Sequence, residues 1–160
     1  MAALMDELRA RGCDVEGALT RFLNNEAFYA KCYKKFLDDP AFSALDEALK
    51  AKDAEMAFRH AHTLKGLTAN MGLTPLYDIV VKIVEPLRGG AYHDDLLEIY
   101  DAMMRELEAY RRIGEQNGLE GAAGFWRKRK TQTAAGSLAW KRRIHIIMRI
   151  RIRTRKQKRY

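Results

Sequence analysis

His62, Lys65 and Gly66, with Gly72 beyond them, are the residues of this chain whose types and spacing can do chemistry. A neutral imidazole has a free nitrogen lone pair and acts as a nucleophile. An ammonium one helical turn away offsets the charge of an anionic reactant as a flexible point donor. A glycine in a helix interior costs about 1 kcal/mol relative to alanine. Its place beside both groups points to something that must come close. The three together suit a transferable phosphoryl group, which is strongly anionic and needs a nucleophile, a counter-charge and room.

The helix that must position these residues is read over about 54–71. Asp53 can cap it, Glu55 suits its N-terminal end, and Gly72 is a natural stop. Ala57, Ala61, Leu64, Thr68 and Met71 recur at helical spacing and form a core stripe. Each residue of a helix advances by about 100°, so Leu64 lies about 200° from His62 and the imidazole faces solvent. Phe58, His62, Lys65, Gly66 and Ala69 then share one outer stripe. Phe58 and Ala69 are expected to give a flat, apolar docking patch beside the histidine. His60 also lies about 200° from His62, which argues against a two-histidine metal site, since ligands on one helix want spacings of three or four. No metal site is expected, and His93 is read as a helix N-terminal residue without chemistry.

The other elements up to residue 124 also read as helices. Segments over about 2–11 and from Asp14 to about Leu23 are short. One of about 26–37 follows Asn24 or Asn25, with Phe28, Cys32 and Phe36 on its apolar side, joined by Tyr29 and Tyr33. Pro40 opens a new helix or kinks a continuing one over 40–51, with Phe42, Leu45 and Leu49 inward. Thr74-Pro75 reads as a cap and first-turn proline for a helix to about Arg88. A last helix over about 93–116 buries Leu96, Leu97, Tyr100, Met103, Met104, Leu107 and Tyr110. No strand pattern intervenes. Short connections between long amphipathic helices predict an all-α fold, an up-and-down antiparallel four-helix bundle with short N-terminal helices.

The segment His62-Thr-Leu-Lys65-Gly66, then Gly72, resembles the histidine phosphotransfer (HPt) domain family, whose motif is His-x-x-Lys-Gly with a further glycine ten residues after the histidine. The resemblance covers roughly residues 15–117. It implies a helical bundle in which His62 is phosphorylated on its outer ring nitrogen by a response-regulator receiver domain or a histidine kinase, and then passes the group to another receiver. It implies phosphate support from Lys65 and clearance at Gly66. The expected function is a phosphorelay intermediate of two-component signal transduction. The chain is not expected to be an ATP-dependent kinase, because it has neither a GxxxxGK[ST] loop nor an Asp-x-Gly-x-Gly sequence. It binds no cofactor on this reading, and Mg²⁺ belongs to the partner receiver.

Charge divides the chain. The net charge of +8 sums an acidic part, residues 1–124, with 15 Lys+Arg against 21 Asp+Glu, and a basic part, 125–160, with 14 Lys+Arg and no acid. The expected domains are a bundle over 1–120 and a basic C-terminal tail over 121–160, flexible or outside the natural coding frame. With Phe125, Trp126 and Trp140 the tail offers a competing function, binding of nucleic acid or an anionic surface. A second alternative is a non-catalytic adaptor that binds receivers. Cys13 and Cys32 lack paired-ligand spacing and read as reduced thiols. No signal peptide or 18-residue apolar run is present, so a cytoplasmic protein without a membrane span is expected, as a monomer.

Overall fold

A computed structural model describes residues 2–119, and among these all regular structure is helical. The elements are α1 (Ala2–Ala10), α2 (Val15–Arg21), α3 (Glu26–Leu37), α4 (Ala41–Lys50), α5 (Ala54–Met71), α6 (Thr74–Arg88) and α7 (Leu96–Gln116). The basic extension and the boundary at residue 121 lie outside the described residues. No helix among the described residues is long and apolar enough to cross a membrane.

Helix α5 is flanked by α4 and α6, and α7 packs on both α6 and α4, so these four enclose the core. Leu45, Leu49, Leu64, Leu76, Val80, Ile83, Val84, Met103 and Leu107 have no exposed surface there. Burial of a leucine-sized side chain is worth about 1.5–3 kcal/mol, so this shared interior is the main source of stability. Thr68 is fully buried within it, and its hydroxyl donates to the Leu64 and Lys65 carbonyls at 2.8 and 3.1 Å.

The N-terminal helices attach to this group at defined points. Helix α1 packs on α7 and α2, α2 on α5, and α3 on α7 and α5. Arg11 grips Glu106 through two hydrogen bonds of 3.0 and 2.8 Å. Buried tyrosines tie elements through main-chain carbonyls: Tyr29 donates to Met71, Tyr33 to Tyr110 and Tyr100 to Phe42, at 2.8, 2.8 and 3.0 Å. Burial pushes the Tyr100 hydroxyl up to about 12. It also holds Tyr29, Tyr33 and Tyr110 above the ordinary tyrosine value. Cys13 and Cys32 are free and buried, and burial raises both thiols.

Some local expectations change. Phe28 is 44% exposed, because the α3 face is built on Tyr29, Tyr33 and Phe36, and its ring meets Phe22 edge-on. Thr74 is the first residue of α6 and not its cap. Leu73, fully buried, occupies the cap position without a side-chain bond. Helix α7 starts at Leu96, so His93 precedes it. Tyr92 donates to the Leu49 carbonyl at 2.7 Å and Lys52 pairs with Asp94 at 3.1 Å, holding this stretch on the end of α4 as a loop. Leu97, Met104 and Ile79 are half-buried. At the α3–α4 junction the Asp39 carboxylate accepts from the Ala41 amide at 2.8 Å, so α4 is a new helix.

Candidate functional site

Helix α5 is fixed at both ends. At its start the Asp53 side chain accepts from the Met56 amide at 3.0 Å, satisfying one of the free donors of the first turn. At its end Gly72 takes a left-handed conformation, φ 69°. A side chain there would meet the Asp14 carbonyl oxygen and, at 2.9 Å, the Ala18 methyl of α2. The Gly72 carbonyl accepts from the Asp14 amide at 2.8 Å. Arg21 donates to the Asn70 and Ala69 carbonyls at 3.1 and 3.0 Å, placing a cation on the negative end of the helix.

Between these clamps the core stripe of Ala57, Ala61, Leu64, Thr68 and Met71 is buried as its spacing requires, and it turns the opposite face outward. His62 is exposed. Among the described residues its imidazole has no hydrogen-bond or ion-pair partner. It leans on the half-buried Phe58 ring one turn earlier, with centroids 5.6 Å apart and planes at 35°. Phe58 therefore packs against the imidazole. Ala69 is exposed, and His60 is half-buried on another face.

Lys65 is more covered than the counting implies, with its side chain 23% exposed. Its ammonium lies 3.3 Å from Glu85 Oε1 on α6. The Arg88 guanidinium, one turn along α6, lies 3.1 Å from that same oxygen. Glu85 and Arg88 were absent from the sequence reading of the site. Their spacing of three is visible in the sequence. Their approach to Lys65 depends on the register between two helices, which no local pattern gives. Arg59 also lies near the histidine face, about 60° around the helix from His62, and is paired with Glu55 at 2.6 Å.

Gly66 discriminates most sharply among the site residues. A side chain built at this position meets nothing within 4 Å. Its lack of a side chain is therefore not demanded by packing within the described chain, in contrast to Gly72. The arrangement is an unencumbered nucleophile, an ammonium one turn away and open space above the next turn. Among the described residues no cluster of three or more metal-ligating side chains is present.

The chain is similar to known proteins. Residues 39–112 match the family model of the Hpt domain. The crystal structure of histidine-containing phosphotransfer protein B (HptB) from Pseudomonas aeruginosa PAO1 is similar to this chain, with 25% identity and a TM-score of 0.59 over 66% of this chain and 92% of that one. No curated protein gives a significant match.

Proposed function

Since the chain belongs to the Hpt domain family and is a phosphorelay intermediate of two-component signalling, we propose that His62 is the residue that carries the phosphoryl group. Partners of the family include receiver domains and histidine kinases. The observation that carries the assignment is the exposed imidazole of His62 one turn before a glycine that faces open space.

The outer ring nitrogen of His62 attacks phosphorus in the aspartyl phosphate of a receiver. A nitrogen–phosphorus bond forms as the phosphorus–oxygen bond breaks, and the electron pair leaves with the aspartate carboxylate. The proton on the other ring nitrogen stays, so the product is a phospho-imidazolium, and transfer onward reverses these changes. Lys65 offsets charge on the phosphoryl oxygens. Gly66 leaves room for the group and the incoming receiver. Phe58 and Ala69 form the docking surface at either end of the stripe. This chain holds no cofactor of its own on this reading, and the Mg²⁺ needed for transfer sits in the receiver.

We further read α4–α7 as an up-and-down bundle from their short connections, and the protein as a cytoplasmic monomer. The test is phosphotransfer from a labelled receiver panel. Label should pass to the wild type and not to His62→Gln. Transfer that survives the substitution overturns the assignment of His62, and a wild type that takes no label leaves the adaptor reading.

A further inference from the structure

We propose that Glu85 is a positioning residue for phosphotransfer: its carboxylate, shared between Lys65 and Arg88, holds Lys65 in reserve and passes to Arg88 when Lys65 turns toward a phosphoryl group on His62. This rests on the assignment of His62 above.

The geometry is that of a shared counter-ion. Glu85 Oε1 lies 3.3 Å from the Lys65 ammonium and 3.1 Å from the Arg88 guanidinium. A single oxygen serves both cations. The loss of one therefore leaves the carboxylate paired with the other. The Glu85 and Arg88 side chains are 50% and 54% exposed, whereas Lys65 is 23% exposed. Arg88 reaches Glu85 within its own helix, at a spacing of three, so this pair persists without α5. Lys65 is the member that also borders the His62 stripe.

Charge gives the arrangement its direction. Before transfer two cations face one carboxylate, and Glu85 keeps Lys65 from repelling Arg88. A phosphoryl group on His62 brings a dianion near Lys65 and outcompetes a carboxylate that already has a second partner. Exposed ion pairs shift equilibria by a factor of only about 1.4 to 5, so the exchange is easily reversed. A carboxylate held by Lys65 alone would oppose it more strongly.

The experiment uses the full chain and phosphoramidate, a small donor that needs no partner. Its nitrogen–phosphorus bond breaks with the electron pair going to departing ammonia, and the imidazole lone pair forms the new bond. Loading is followed by phosphorus NMR or a phosphate-affinity gel, with thermal melts as a check on folding. Glu85→Gln should load about two to five times faster than wild type, and the gain should shrink at high salt. Arg88→Gln should load more slowly, and only while Glu85 is present. In a Lys65→Gln background Glu85→Gln should have no effect. An unchanged rate in Glu85→Gln overturns the proposal. So does an acceleration that persists without Lys65, because Glu85 would then act by direct repulsion. Label on His62→Gln at the wild-type rate overturns the His62 assignment itself, while a wild type that loads on His62 beside a Glu85→Gln variant of equal rate overturns only the role of Glu85.

Discussion

Gly66→Ala separates stability from function at a single position. Glycine in a helix interior is destabilising by about 0.5–1 kcal/mol relative to alanine, through the freedom the backbone loses on folding. Replacement normally risks a steric cost that cancels this gain. Here the added methyl meets no atom within 4 Å beyond the adjoining residues and the backbone of its own helix, so nothing cancels it. The variant should gain about 0.5–1 kcal/mol, a rise in Tm of about 2–5 °C for a domain of this size. The same methyl stands one turn from His62 on the face proposed to meet a receiver. A displacement of about 1 Å in the reacting geometry can cost about 10²-fold in rate, so transfer from a receiver should slow while melting improves. Loading by phosphoramidate, which brings no protein surface, should slow less. Paired melts and transfer rates on purified wild type and variant test this. A lower Tm would show that Gly66 is needed for packing. A higher Tm with unchanged receiver transfer would show that the open space is not used for docking.

Gly72→Ala should behave in the opposite way, losing more than about 2 kcal/mol in chemical denaturation, because a left-handed alanine costs about 1–2 kcal/mol and its methyl also collides with the Asp14 carbonyl and the Ala18 methyl. Unchanged stability would show that α2 does not pack here as described. Alkaline pH should unfold the protein through its tyrosines. Burial raises Tyr100 to about 12 and holds Tyr29, Tyr33 and Tyr110 high. The unfolded chain releases these protons from about pH 10. Above that pH the folded state holds more protons, so stability is complete below about pH 10 and falls as pH rises toward the folded values. The loss is up to about 1.4 kcal/mol per pH unit for each tyrosine. Tyrosinate absorbance should rise together with loss of helical circular dichroism. Ionisation of all these tyrosines near pH 10 in a protein that stays helical would refute the linkage.

The geometry of the candidate site was legible where one helix decides it. His62, Lys65 and Gly66 lie on α5, whose start at Asp53, buried stripe and stop at Gly72 all follow from local chemistry. Angular counting was therefore enough to turn His62 outward. It was not enough for residues whose environment comes from a neighbour. Lys65 is half-buried because α6 brings Glu85 to it. Phe28 was expected inside, since with Cys32 and Phe36 it makes a regular stripe. The tyrosines one position over fill the interface with α5 and α7 because their hydroxyls find carbonyls there. The start of α7 was placed too early because Tyr92 is held by Leu49 of α4 and Asp94 by Lys52 just beyond it, interactions across more than forty positions of sequence.

The two glycines of the motif stand in different physical surroundings. Gly72 lets α5 end in a left-handed turn against α2. Around that turn Asp14, Arg21 and Tyr29 bind the carbonyls of Gly72, of Asn70 and Ala69, and of Met71. These ties fix the direction and rotation of the last turns of α5. Rotation about the helix axis decides whether His62 faces outward, because Leu64 anchors the opposite side with no exposed surface. The exposed stripe is thus presented by a backbone immobilised at its far end, while the imidazole of His62 and the ammonium of Lys65 are held, among the described residues, by a ring contact and a shared carboxylate. A rigid backbone with adjustable tips is the arrangement that positions a nucleophile closely without tying up its charge partners. In this chain Gly72 supplies the rigidity, and Gly66 leaves open space one turn beyond His62.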